Sequence, residues 1–164
     1  MEEQLQEKAV LVGLNITTNV KKIDDIDINE SMAELKELVK AAGAEVLASV
    51  IQNKPARDAA YFIGKGKVEE IRDYCHMLGA TMIVFNDELS GAHMRNIEDV
   101  TGLKVIDRTA LILDIFAQRA LSKEGKLQVE LAQLKYRLPR LYGMGGQMSR
   151  TGAGIGTRGP GEQK

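Results

Sequence analysis

The chain has 164 residues, 44% of them hydrophobic, and a formal net charge of −1, which fits one compact domain with an appendage. Aromatic residues make up only 4% and Trp is absent, which argues against an aromatic platform for stacking bases. The single cysteine, Cys75, has no disulfide partner, and the longest apolar run, residues 109–117, is too short to cross a bilayer. With no signal-peptide layout at the N-terminus, we expect a cytoplasmic protein without a membrane partner.

The small net charge hides an asymmetry along the chain. Residues 1–118 carry 13 Lys and Arg against 20 Asp and Glu, whereas residues 119–164 carry 9 against 3. The first part is therefore a poor binder of nucleic acid and the second part a plausible one.

Short apolar runs alternate with helical patterns over the first hundred residues. The predicted strands are residues 8–14, 44–51, 81–85 and 103–106. Ser31 followed by Glu34 has the pattern of a capping box, and Gly43 ends the helix that it opens. Strands separated by helices pair in parallel through right-handed crossovers. We therefore predict an α/β fold with a small parallel sheet of about four strands and flanking helices.

One candidate ligand segment lies at a predicted helix start. Gly64, Lys65, Gly66 and Lys67 precede an apolar helical pattern, so free backbone N–H groups and two cations would meet there. That combination suits a phosphate, although the spacing of a Walker motif is absent. A flexible helix entry with solvated lysines is the alternative interpretation.

A second candidate follows the third predicted strand. Asn86, Asp87 and Glu88 stand at its carboxyl end, where ligands collect in parallel sheets, and the two carboxylates could hold Mg²⁺ through water. A loop with a capping role before the helix at residues 91–100 is the alternative. No His or Cys stands at ligand spacing, so no metal site is predicted. His76 and His93 are isolated and do not have the surroundings of a catalytic base.

Residues 107–141 predict two consecutive helices. Asp107 can cap the first helix, and Pro139 is expected to end or kink the second. In the second helix, leucines recur at alternating spacings of four and three, which is the pattern of a coiled-coil seam. These leucines are Leu127, Leu131, Leu134, Leu138 and Leu141. We predict that this seam packs on the preceding helix to form a long antiparallel hairpin.

The connection between the two helices is polar and basic. It contains Gln118, Arg119, Ser122, Lys123, Gly125 and Lys126. Only Glu124 offsets its positive charge locally, and Ser122 can cap the second helix. A rigid stalk with a basic end suits insertion into a cleft of folded RNA, and a solvated loop is the alternative.

Residues 142–164 hold half of the 16 glycines of the chain. Residues 154–159 match GxGxxG, but no strand precedes them and Pro160 follows, so we reject a dinucleotide site. With Arg150 and Arg158, the segment is typical of a flexible linker or an RNA-contacting tail. The expected organisation is an α/β subdomain (1–106), a helical hairpin (107–141) and a linker (142–164) to a further domain.

Several blocks of sequence resemble the N-terminal region of the HflX family of ribosome-associated GTPases. The longest is VIDRTALILDIFAQRA to LPRL at residues 105–141, followed by GIGTRGPGE at residues 154–162. FIGKGKVEEI at residues 62–71 and FNDELSGA at residues 85–92 resemble earlier blocks of the family. His93 departs from the family pattern, which often has Gln there.

The resemblance implies a role on the ribosome. Family members bind the large (50S) subunit, and their hairpin tip reaches 23S rRNA near the peptidyl-transferase centre during ribosome splitting or rescue. It also implies RNA rather than DNA as partner, together with a GTPase domain of the same protein that uses GTP and Mg²⁺.

The 164 residues contain neither a Walker A nor an NKxD motif, so we expect no GTP hydrolysis and no cofactor of their own.

Two other hypotheses follow from the same resemblance. An ATP-linked activity is attributed to this region of the family, for which Gly64–Lys67 and Asn86–Glu88 are the candidate residues. A regulatory domain that restrains the GTPase domain is the remaining alternative.

Overall fold

A computed structural model describes residues 5–18 and 27–141. The strands are β1 (Lys8–Ile16), β2 (Glu45–Lys54), β3 (Met82–Phe85) and β4 (Lys104–Asp107). The helices are α1 (Ile28–Ala41), α2 (Lys65–Leu78), α3 (Gly91–Thr101), α4 (Arg108–Arg119) and α5 (Lys123–Leu141). All strand pairs are parallel, in the order β2-β1-β3-β4, so the predicted four-stranded α/β fold is confirmed. In this part of the chain no helix is long and apolar enough to cross a membrane.

The sheet is covered on both faces because alternate strand residues point to opposite sides. Val10 and Val12 pack with α2 and α3, whereas Ala9 and Leu11 pack with α1 and α4. Since β1 leads to one edge of the sheet and β3 to the other, the carboxyl ends of β1 and β3 flank the topological switch point. This crevice is where a ligand is expected in such a sheet.

The start of α1 differs from the sequence prediction. Asp27, rather than Ser31, is the N-cap, and its side chain accepts a hydrogen bond from the Asn29 backbone N–H at 3.1 Å. The predicted capping box of Ser31 and Glu34 is therefore wrong. Both side chains instead contact Arg108 of α4, a partner that lies far away in sequence.

Helices α4 and α5 form the predicted antiparallel hairpin, but a different face of α5 makes the contact. The side chains turned toward α4 include Gln133 and Tyr136, which bond to Asp114 and Asp107. The leucine stripe lies on the other side of α5. Four of its leucines are exposed: Leu127 by 56%, Leu131 by 52%, Leu134 by 37% and Leu138 by 50%. The prediction that these leucines form the hairpin seam is wrong.

Pro139 lies in the last described turn of α5, which continues two residues further to Leu141. Arg140 donates to the Leu89 carbonyl oxygen at 3.0 Å and so fixes the end of α5 on the loop before α3.

Candidate functional site

The root of the hairpin is held by a buried carboxylate. Asp107 ends β4 and caps α4 by accepting from the Ala110 backbone N–H at 3.0 Å. Its other oxygen accepts from the Leu89 backbone N–H at 2.9 Å and from the Tyr136 hydroxyl of α5. Burial, followed by the Asp107 charge, raises the pKa of Tyr136, so this hydroxyl remains a donor at neutral pH. One side chain thus joins the sheet to α4, to α5 and to the loop before α3.

A second polar contact lies midway along the hairpin. Asp114 of α4 is fully buried and accepts from the Gln133 side-chain amide at 3.0 Å. The guanidinium of Arg137 lies 3.5 Å from the same oxygen. A buried carboxylate with specific partners fixes the register of two helices more strictly than interchangeable apolar contacts do.

The third contact is a clasp at the end of α5. Arg140 donates to Glu88 Oε1 at 2.8 Å as well as to the Leu89 carbonyl, and its guanidinium lies 3.5 Å from the centre of the Tyr136 ring. Glu88, a predicted nucleotide ligand, is therefore part of this ion pair. Gly91 lies against the Arg140 backbone, where a side chain would not fit.

The tip of the hairpin comprises the last turn of α4, residues 120–122 and the first turn of α5. Arg119, Ser122, Lys123 and Lys126 are all exposed there. Ser122 accepts from the Gly125 backbone N–H at 2.9 Å, which confirms its predicted role as the cap of α5. Together with Gln118, five of the six RNA-contacting residues predicted for the tip are thus exposed at one end of the hairpin.

Two other predicted tip residues have contacts within the protein. The Gln118 side-chain amide donates to the Ala42 carbonyl oxygen at 3.3 Å, which places the tip beside the C-terminal end of α1. A Cβ at Gly125 would lie only 2.9 Å from Ser122 Oγ, so the cap leaves little room for a side chain. Both residues shape the tip in addition to any contact with a partner.

Sequence reasoning missed Leu121, whose side chain is 94% exposed within this basic turn. An apolar side chain with cations on either side can contact a base or ribose while the cations bind phosphates. The signal available in the sequence was one leucine inside an otherwise polar connection. Arg150 and Arg158, the other predicted RNA contacts, lie outside the described residues.

At the carboxyl edge of the sheet, Asn86 belongs to a network with α1 and α4. Its side-chain amide donates to Ser31 Oγ at 2.8 Å, and its oxygen accepts from Arg108 at 3.0 Å. Arg108 also pairs with Glu34 at 2.8 Å. These bonds hold Asn86 in place but occupy groups that a nucleotide would need.

Asn86 and Glu88 have side-chain partners within the protein, but the third predicted residue of this loop, Asp87, differs from them. Its Oδ2 atom is buried and has no hydrogen-bond partner in the described part of the chain. Burial raises the pKa of the carboxyl group, although a backbone hydrogen bond from Leu14 and the charges of Arg57 and Arg108 oppose the shift. A buried oxygen without a partner, beside the end of β1, is the feature of this edge that a bound ligand would explain.

The other predicted nucleotide segment lies at the end of β2. Gly64 is the N-cap of α2, and its backbone N–H donates to Gln52 Oε1 at 2.9 Å. Lys65 is exposed, while Lys67 pairs with Glu70 at 3.2 Å. Because β1 lies between β2 and β3, this segment and Asp87 are separated by about two strand spacings, roughly 10 Å. The fold thus places Gly64–Lys67 and Asp87 at the same carboxyl edge of the sheet, but not in direct contact with each other.

Two family models of known proteins match consecutive parts of the chain. Residues 29–117 match the family model described as GTP-binding GTPase N-terminal, and residues 119–164 match the model described as GTP-binding GTPase Middle Region. The boundary between the two models falls at the hairpin tip.

Curated relatives named GTPase HflX match nearly the whole chain. One from Caldanaerobacter subterraneus subsp. tengcongensis is 54% identical over 97% of this chain and 35% of its own length. One from Escherichia coli is 45% identical over 95% of this chain and 35% of its own length. The chain therefore spans about a third of these relatives.

The fold also matches a solved structure. A GTP-binding protein from the archaeon Sulfolobus solfataricus, solved in complex with GDP, superimposes with a TM-score of 0.61 at 27% identity. The match covers 84% of this chain and 39% of that protein. The GDP is a ligand of the archaeal protein.

Proposed function

Because the chain belongs to the HflX family of GTPases, we propose that these residues are the part of the protein that binds the large (50S) ribosomal subunit. In this proposal the hairpin tip contacts 23S rRNA near the peptidyl-transferase centre and takes part in splitting or rescue of ribosomes in the cytoplasm. Nucleotide hydrolysis, with GTP and Mg²⁺, falls to the GTPase domain of such a protein, which is also the expected intramolecular partner.

The observation that carries the proposal is a basic, exposed tip on a hairpin with three polar anchors. Arg119, Lys123 and Lys126 are exposed cations with no ion pair to the described residues. Asp107, Asp114 and Arg140 fix the helices behind them. A pre-ordered tip loses little conformational entropy when it enters an RNA cleft. Phosphate contacts by these cations would supply affinity through release of counterions.

The direct test is co-sedimentation of the protein with purified large subunits. The variant Arg119→Ala/Lys123→Ala/Lys126→Ala should lose most of the binding, because it removes three phosphate contacts while leaving the anchors intact. The matched control, Lys36→Ala/Lys40→Ala/Arg72→Ala, removes the same charge from α1 and α2 and should bind as the wild type does. Equal loss in both variants would contradict a specific role of the tip.

The second candidate function is binding of ATP at the carboxyl edge of the sheet. The buried Asp87 Oδ2 without a partner favours it, because this atom lies beside the topological switch point. In this proposal, Gly64–Lys67 at the start of α2 would hold the phosphates. The residues already engaged, Asn86 and Glu88, would orient the loop rather than contact the nucleotide.

Isothermal titration with ATP and Mg²⁺ distinguishes this candidate from the first. Heat of binding that Lys65→Ala or Asp87→Asn reduces would support the edge site. Absence of heat at millimolar nucleotide would remove it, and the co-sedimentation result would stand independently.

A further inference from the structure

The leucine stripe of α5 is an apolar surface that residues 5–18 and 27–141 leave uncovered. Leu127, Leu131, Leu134 and Leu138 are each between 37% and 56% exposed, on a helix that belongs to an otherwise well-packed domain. At 3.6 residues per turn, the stripe lies about 150° around the helix axis from the side chains of Gln133 and Tyr136 that face α4. The hairpin and the sheet therefore lie behind the stripe and do not block access to it.

The shape of the stripe indicates what covers it. Its spacing of four and three is a strict heptad repeat, in which Leu131 and Leu138 occupy a positions and Leu127, Leu134 and Leu141 occupy d positions. A helix that packs on a sheet or on the core of a domain shows a broader apolar face, whereas a strict a/d stripe is one helix wide. The complementary surface is thus another helix with the same repeat.

Charges beside the stripe favour a second copy of α5 in parallel orientation. Glu130 occupies a g position and Lys135 the e position five residues later, and both are exposed. In a parallel pair, Glu130 of each chain faces Lys135 of the other, which gives two attractive contacts. In an antiparallel pair centred on Leu134, the two Lys135 side chains would lie near each other and repel, and Arg137 is already bound to Asp114.

We propose that the leucine stripe of α5 is a homodimerisation surface through which two copies of this chain form a parallel two-helix coiled coil. The contact is isologous, because the same residues face each other across a two-fold axis. The seam from Leu127 to Leu141 covers about two heptads, so it is smaller than the standard interface of a stable complex. We expect a reversible dimer with a dissociation constant of roughly 10–100 µM.

Sedimentation equilibrium of the chain from about 5 to 500 µM, bracketing that constant, tests the proposal. The wild type should pass from monomer to dimer in this range, and Leu131→Glu should raise the dissociation constant by at least about tenfold. Gln128→Glu adds the same charge beside the stripe, opposite Lys123 of the second copy, and should leave the dimer intact. Because Leu131 is half exposed in the monomer, the far-ultraviolet circular dichroism of both variants should match that of the wild type.

Charge reversal and cross-linking test the orientation. Glu130→Lys should weaken the dimer, and Glu130→Lys/Lys135→Glu should restore it, because the reversed pair again faces across the interface. Leu127→Cys should form an interchain disulfide under mild oxidation, whereas Lys126→Cys, on the outside of the coil, should not. A wild type that stays monomeric at about 500 µM, or equal cross-linking of the two cysteine variants, would overturn the proposal.

Discussion

Gly91 and the Arg140 backbone approach each other more closely than any side chain at position 91 would allow. A Cβ there would overlap the Arg140 carbonyl oxygen and lie 2.9 Å from its Cα. Since backbone atoms cannot rotate away, the end of α5 would have to move. Gly91→Ala should lower the free energy of unfolding by about 1–3 kcal/mol, as measured by urea denaturation.

Gly66 provides the matched control for this substitution. No atom lies within 4 Å of a Cβ built there, and the residue belongs to the first turn of α2. Gly66→Ala should therefore be neutral or stabilise the protein by about 0.4–1 kcal/mol. Equal losses at both positions would show that the contact with α5 is not what excludes a side chain at Gly91.

The buried carboxyl group of Asp87 predicts a dependence of stability on pH. Its pKa is raised in the folded state, mainly by burial, so the folded protein binds this proton more tightly than the unfolded chain does. The Asp87 contribution is therefore most favourable below the unfolded pKa and is lost as the pH rises through the raised folded pKa.

Asp87→Asn removes this titration. The variant should gain melting temperature relative to the wild type as the pH rises from about 4 to 7, and the gain should level off above the folded pKa. Thermal denaturation of both proteins across this range measures the difference. A difference that does not vary with pH would mean that Asp87 titrates as it does in the unfolded chain.

At the scale of elements, the sequence predicted which segments are helices and strands, but not which faces meet. Apolar spacing identifies α5 as amphipathic, yet nothing in that spacing says whether α4, another domain or another chain covers the leucines. The true seam depends on Gln133 and Tyr136, whose partners lie 19 and 29 residues away. Long-range polar pairs of this kind leave no local pattern in a sequence.

The same limit applies to the capping residues. Asp107 and Ser122 were predicted correctly because a cap is a local contact between neighbouring residues. Ser31 and Glu34 matched an equally good local pattern, but Arg108, 74 residues from Glu34, engages both of them. Asp27 then serves as the cap.

The clasp of Arg140 predicts how firmly α5 is held. Arg140→Ala removes the bonds to Glu88 and Leu89, so the last turns of α5 should exchange their amide hydrogens faster. Gln128→Ala, at an exposed position on the same helix, should leave exchange unchanged. Hydrogen exchange followed by mass spectrometry measures both variants. If the last turns of α5 remain protected in Arg140→Ala, contacts other than those of Arg140 hold the end of this helix.

At the scale of the whole molecule, the distribution of charge predicts how binding to the ribosome responds to salt. An acidic α/β part precedes a basic C-terminal part, so the proposed contact is confined to one end of the molecule. Removing the three tip cations should reduce the slope of log affinity against log salt by about 2 to 3, because each phosphate contact releases close to one counterion. Binding assays at several salt concentrations measure this slope, and an unchanged slope would indicate that the tip does not contact phosphate.

The clasp also determines how displacement is transmitted through the molecule. With 19 residues, α5 is about 28 Å long and connects the basic tip to the loop at Leu89, beside the topological switch point. We expect part of a load applied at the tip to be carried along the hairpin to Leu89 and Asp107, close to the loop that contains Asp87.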